Sequence, residues 1–270
     1  MLKQRLISGG LLGAVLLSIV IFAPQPLFAG AFAVLFALGA WEWARLTLGD
    51  SVLYKVLYLL AFVLIVALLW WGRDKALANT WLLVAAAFWL GVIFILHRYH
   101  RRDNPARRWQ RRLSIVGLLV LPAAWVAFIE LQKIHLGWVL YILMLCGLAD
   151  SFAFLAGKLF GKHKLAPQLS PGKTIEGAIG GISSVLVFAL LVGIFWQGFS
   201  STQLAALVAL SLVVGLISIE GDLFESLIKR EAGQKDSGRI LPGHGGILDR
   251  FDSHIAASPL FFLGLQWILN

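Results

Sequence analysis

Apolar stretches long enough to cross a lipid bilayer recur nine times along this 270-residue chain. A helix rises about 1.5 Å per residue, so about 17–25 apolar residues span a hydrocarbon core about 30 Å thick. The stretches run approximately Leu6–Ala23, Leu27–Trp43, Val52–Trp71, Ala76–Leu96, Leu113–Ile129, Leu136–Ala149, Gly177–Trp196, Leu204–Ile219 and Ile255–Leu269. The sixth and ninth are short and the second ends on Glu42, which leaves an eight-span reading open. Only 14% of residues are charged, against about 25% in soluble domains. The fold class that follows is all-α: a polytopic membrane protein of about nine transmembrane helices. Gly and Trp number 27 and 11, in keeping with membrane helices and their interfacial belts. The lone Cys146 sits in an apolar run, which excludes a disulfide framework and a thiolate metal cluster.

Lys and Arg collect on the cytoplasmic side of membrane proteins, so their distribution orients the chain. With the N-terminus inside and nine alternating spans, 20 of the 23 basic residues fall on the cytoplasmic side and 3 (Arg73, Lys75 and Lys133) fall opposite. The chain is thus expected to run N-in and C-out. Lys3 and Arg5 precede the first apolar run, and Ala29-Gly30-Ala31 resembles a signal-peptidase site. The run is as long as a spanning helix, so the N-terminus is expected to be retained.

The densest basic loop, His97–Arg112, reads as a topogenic cluster against anionic lipid rather than a nucleic-acid contact. Acidic residues distribute differently. Nine of the fourteen fall from Asp150 onward, mixed with Lys and Arg beside the spans, and such mixing marks functional sites in membrane proteins. Residues 1–130 therefore read as a membrane scaffold and 131–270 as a catalytic domain, with active-site segments 150–177 and 220–252.

If the eighth span continues as a helix past Ile219, Asp222, Glu225, Ser226 and Lys229 share one face. Beyond Arg230, Gly233, Gly238, Pro242, Gly243, Gly245 and Gly246 break the helix into a loop that can turn backbone N–H groups toward an anion. Lys235, Arg239, His244 and Arg250 add cationic donors. Asp249 and Asp252, where the last helix begins, can cap it or hold a divalent cation. Together these parts suit phosphoryl or nucleotidyl transfer; an interfacial salt-bridge network is the plainer alternative.

In segment 150–177, Gly172-Lys173-Thr174 ends like a P-loop, but Pro167 stands where that pattern requires Gly, so a Walker A site is not expected. Ser170, Lys173 and Thr174 can still bind phosphate as a short turn before the seventh span. Asp150, inside an apolar run, is either a functional carboxylate or a helix-end cap. The histidines show no paired-ligand spacing, and no zinc is expected.

The run from Ser226 to Asp252 resembles the signature of the phosphatidate cytidylyltransferase (CDP-diacylglycerol synthase) family: S-x-x-K-R, four residues, K-D, then H-G-G-x-x-D-R-x-D. Ser226, Lys229, Arg230, Lys235, Asp236, Gly238, Leu241, Pro242, His244, Gly245, Gly246, Ile247, Asp249, Arg250, Phe251 and Asp252 meet it without a gap. Ser170–Gly177 and Ala149–Ser151 are also similar to the family, so the resemblance covers the C-terminal half well and the N-terminal half in hydropathy alone. It implies attack of a phosphatidate oxygen on the α-phosphorus of CTP, with pyrophosphate expelled and no covalent intermediate. Mg²⁺ is expected on Asp249 of the motif and on Asp222, which lies just ahead of it, with a second cation left open. The catalytic set would be Lys229, Arg230, Lys235, Asp236, His244, Arg250 and Asp252. Substrate binding would fall to Ser170, Lys173, Thr174, Ser226, Arg239, Gly245 and Gly246. The expected partners are CTP, phosphatidate and membrane lipids, with no nucleic acid and a homo-oligomer left open. The expected place is a bacterial-type inner membrane, with the site facing the cytoplasm. An ion-coupled transporter of an anionic solute is the alternative, but it would expose its site to both faces in turn.

Overall fold

The computed structural model describes residues 2–72, 76–100, 110–195, 198–238, 240 and 245–269. Among them run nine helices: α1 (Leu2–Phe22), α2 (Gln25–Leu48), α3 (Val52–Trp71), α4 (Ala76–His100), α5 (Gln110–Ile134), α6 (Leu136–Phe160), α7 (Ile175–Phe195), α8 (Ser201–Glu231) and α9 (Leu248–Leu269). Seven of these, α2 to α8, are long and apolar enough to cross a membrane. The chain is an all-α, multi-pass membrane protein.

Several helices overrun their apolar stretches. α6 continues past Ala149 to Phe160 and α8 past Ile219 to Glu231, because a helix is limited by its capping and breaking residues, not by hydropathy. Gly161 and the Ala232-Gly233 turn supply those stops. α9 is less apolar than α2 to α8 for a physical reason. It packs against α4, α5, α6 and α8, and Ser253, His254 and Ser258 are buried along it. A helix wrapped in protein need not offer lipid an apolar face, and polar side chains can be accommodated by neighbouring helices.

Successive helices alternate direction, and side-chain bonds tie their ends into two layers. At one end Trp43 donates to the Leu113 carbonyl (2.9 Å), Tyr58 to Ser114 (2.9 Å) and Arg230 to Leu169 (3.1 Å). At the other, Gln132 donates to Ala23 (3.1 Å) and Gln203 to Ile268 (3.2 Å). Trp43, Trp89, Trp125 and Trp138 are buried within the bundle. Composition suggested interfacial belts; these four rings instead pack between helices, and the Trp125 indole donates to the Ala29 carbonyl at 2.9 Å.

A two-stranded antiparallel hairpin, β1 (Lys164–Ala166) and β2 (Ser170–Thr174), joins α6 to α7. The sequence led to a simple turn there. α6 and α7 then pack through small residues: a Cβ on Gly177 would lie 2.7 Å from the Ala153 carbonyl oxygen, and one on Gly181 2.7 Å from that of Ala149. The Gly177–Gly181 stretch thus closes a helix pair inside the chain, as small residues do when backbones approach closely.

Candidate active site

The C-terminal half of α6, the hairpin, the first turn of α7, the C-terminal part of α8 and the first turns of α9 enclose a cavity of about 510 Å³. Asp150 and Lys158 reach it from α6, Ser170, Lys173 and Thr174 from β2, Asp222 from α8, and Asp249, Arg250 and Asp252 from α9. All of these elements meet at the same end of the bundle. Several carboxylates and cations thus share one cleft at the ends of spans, a costly arrangement that membrane proteins retain for function.

The local sequence explains each placement. Thr174 ends the hairpin, and its hydroxyl accepts from the Gly177 N–H at 3.1 Å, capping α7. Lys173, beside it on β2, forms an ion pair with Asp222 of α8. Arg230 holds the hairpin to α8 through the Leu169 carbonyl. On α8 the helical spacing of Asp222, Glu225 and Lys229 is realised. Lys229 pairs with Glu225 one turn back (2.5 Å) and with Asp249 of α9 (2.7 Å).

Among the described acidic residues that line the cavity, Asp249 is the most heavily bonded. Oδ1 takes the Lys229 ammonium, while Oδ2 accepts from the backbone N–H of Gly246 (2.8 Å) and of Ser237 (2.9 Å). It lies ahead of the ninth apolar stretch. Partial burial alone would raise its pKa, but Lys229 and the two N–H donors hold the carboxyl below its ordinary value.

Of the residues singled out in the sequence, Ser170, Lys173, Thr174, Asp222, Asp249, Arg250 and Asp252 line the cavity together with Asp150. Lys229 and Arg230 do not; they bind α8 to α9 and to the hairpin. Ser226 is buried on α8, Lys235 and Asp236 are exposed on the loop, and Gly245 and Gly246 form its return into α9. Arg239 and His244 lie outside the described residues, as do Pro242 and Gly243 and the centre of the basic loop from Arg101 to Trp109.

Sequence reasoning missed three residues. Lys158 lines the cavity two turns beyond Asp150 on α6, a spacing that was available once α6 was extended past its apolar run. Glu42 and Arg45 of α2 hold Leu248 and Ser237 from a helix read as scaffold: Glu42 accepts from the Leu248 N–H (3.0 Å), and Arg45 donates to the Ser237 carbonyl (2.6 Å). Their signal was a carboxylate and a guanidinium one turn apart at the end of an otherwise apolar span.

The donor set suits a divalent cation in kind. Asp150, Asp222, Asp249 and Asp252 offer hard oxygens to one cavity, yet among the described residues no group of three or more His, Cys, Asp or Glu is arranged to hold a metal by itself. Mg²⁺ commonly takes one or two carboxylates and completes its shell with water and substrate phosphate.

Comparison with known proteins agrees with this chemistry. Residues 3–268 match the cytidylyltransferase family. A phosphatidate cytidylyltransferase of Pseudomonas aeruginosa is 39% identical over 99% of this chain and 97% of its own length. One from Haemophilus influenzae is 34% identical over 97% of both chains. A Staphylococcus aureus protein of the same name is 47% identical over 133 residues, about half of each chain.

Proposed function

The chain belongs to the cytidylyltransferase family, and from that premise we propose that it transfers the cytidylyl group of CTP to phosphatidate, forming CDP-diacylglycerol and pyrophosphate. The observation that carries this reading is the cavity itself, where Lys158, Lys173 and Arg250 face Asp150, Asp222, Asp249 and Asp252 across the ends of four helices. A phosphatidate oxygen forms the new bond to the α-phosphorus, and the α–β anhydride bond breaks as pyrophosphate departs. The nucleophile is already an anion, so the protein's task is to align it with the triphosphate and offset the charge.

Asp222 and Asp249 are the carboxylates that would hold Mg²⁺, with Asp150 and Asp252 beside them. The ion would draw charge from the leaving pyrophosphate as a Lewis acid. Lys173 and Arg250 are the side chains assigned to the phosphates, with Lys158 at the α6 wall. Ser170 and Thr174 are proposed as hydroxyl partners, and Lys235, Arg239 and His244 as further cations from the loop. Lys229 and Arg230 act by holding Asp249 and the hairpin in place. The test is direct: purified protein with radiolabelled CTP, phosphatidate and Mg²⁺ should yield label in the lipid extract, and release of label only as free CMP or CDP would overturn the reading.

We further propose that the site faces the cytoplasm of a bacterial inner membrane. In a Cys146→Ser background, a membrane-impermeant maleimide added to intact cells should modify a Cys appended after Asn270 and spare Lys235→Cys, an exposed loop position. Labelling of position 235 would reverse the orientation.

A further inference from the structure

Glu42 is an almost fully buried carboxylate (2% exposed) on α2, outside the cavity lining. Burying a carboxylate is costly unless its bonds repay the lost hydration, and those of Glu42 run to the segments on either side of the signature loop. Oε2 accepts from the Leu248 N–H at 3.0 Å, in the first turn of α9, and lies 3.2 Å from the Ser237 hydroxyl. That hydroxyl is also 2.9 Å from Asp249 Oδ2. It has one proton for two carboxylates, so Glu42 and Asp249 are linked through Ser237.

The other polar groups of Ser237, itself wholly buried, are taken in the same way. Its N–H goes to Asp249 and its carbonyl accepts from Arg45, one turn beyond Glu42 on α2. The loop glycines leave room for the carboxylate: a Cβ on either Gly238 or Gly246 would collide with the oxygens of Glu42. Two glycines of the signature are therefore shaped around a residue 195 or more positions earlier in the chain.

We propose that Glu42 is a positioning residue for cytidylyl transfer. It fixes Ser237 and the start of α9, and through them the aim of Asp249 and Arg250 into the cavity, with Arg45 holding the loop from its carbonyl side. This inference rests on the transferase reading of the site, and its test separates the two.

Full-length Glu42→Ala, Glu42→Gln and Arg45→Gln variants would be compared with the parent protein in nanodiscs by melting temperature, steady-state kinetics and amide hydrogen exchange. Displacement of reacting groups by about 1 Å can cost about 100-fold in rate. Glu42→Ala should therefore lower kcat about 100-fold, leave KM for CTP and phosphatidate within about threefold, and speed exchange at Leu248 and Asp249 alone. Gln still accepts both bonds, though more weakly without charge, and should restore kcat to within about tenfold of the parent. Arg45→Gln, on a half-buried side chain that threatens folding less, should lower kcat about tenfold. Folded Glu42→Ala with parental kcat would overturn the proposal, as would faster exchange spread evenly over all helices. If the parent protein itself makes no CDP-diacylglycerol, the transferase reading fails, and the exchange pattern still decides whether Glu42 positions α9.

Discussion

Two connections serve the cavity, 160–175 between α6 and α7, which lines it, and 231–248 between α8 and α9, which leads into the lining residues Asp249, Arg250 and Asp252, and they are held by different means. Both bear glycine, but the first is basic, whereas in the second Lys235 and Arg239 are balanced by Glu231 and Asp236. The first is held mainly by local bonds, from the β1–β2 ladder and from Glu176, which accepts from the N–H groups of Lys162 and His163 and pairs with the His163 ring; Arg230 and Asp222 of α8 add its outside ties. The second, among its described residues, has no ladder; beyond the turn bonds of Gly233 and Gln234 to the end of α8, its bonds run to α2 and α9. A connection tied to its own neighbours can be altered with local consequences. One tied to a distant helix transmits any disturbance to whatever else that helix and loop hold, here Asp249.

The sharpest way to break this contrast is at the two carboxylates assigned to the metal. Asp222→Asn removes charge from the cavity but leaves the loop bonds intact, so it should keep its melting temperature and lose about 100- to 1000-fold in kcat. Asp249→Asn should lose as much activity and also about 1–3 kcal/mol of stability, because the Ser237 and Gly246 N–H groups and Lys229 lose a charged partner. Kinetics alongside thermal melts would check both. Equal stability of the two variants would show that Asp249 does not anchor the loop.

Gly246→Ala should come next in size. Its Cβ would enter the space of the Ser237 hydroxyl and the Glu42 carboxylate, and overpacking of this kind costs about 1–3 kcal/mol. A kcat about 10- to 100-fold lower is expected, with faster amide exchange across 236–249. Parental kcat would mean that the loop tolerates displacement, and the contrast between the two connections would collapse.

This difference also governs what the sequence disclosed. The helices were legible because an apolar run of spanning length has few other solutions. The signature from Ser226 to Asp252 was legible because it is contiguous, and so were Asp222, Glu225 and Lys229, once α8 was allowed to continue, because helical spacing is a local property. The β1–β2 hairpin escaped because three- and five-residue strands show almost no periodicity. Glu42 escaped because its partners lie across the whole chain, and a single carboxylate at the end of an apolar helix reads equally well as a boundary. Lys229 was legible as a charge but not as a tie. Its two acidic partners, one on its own helix and one on the next, leave it facing carboxylates where a phosphate was expected.

The smallest effect is expected where the hairpin is clasped. Glu176→Gln removes the charge facing His163 while leaving an oxygen to accept from the Lys162 and His163 N–H groups at 3.1 and 3.2 Å. The ion pair is solvent-exposed on the histidine side, which is 73% accessible, and pairs of that kind contribute little in water. The β1–β2 ladder and the bond from Arg230 to the Leu169 carbonyl remain, so Lys173 keeps its place opposite Asp222. Glu176→Gln should therefore retain kcat within about twofold and shift the melting temperature by about a degree. Steady-state kinetics with CTP would check it, in the same preparation as Gly246→Ala. A tenfold loss in Glu176→Gln, in a protein that melts normally, would mean that this clasp aims Lys173 as Glu42 aims Asp249. Both connections would then depend on single carboxylates, and the division between a mainly locally held and a remotely held connection would have to be given up.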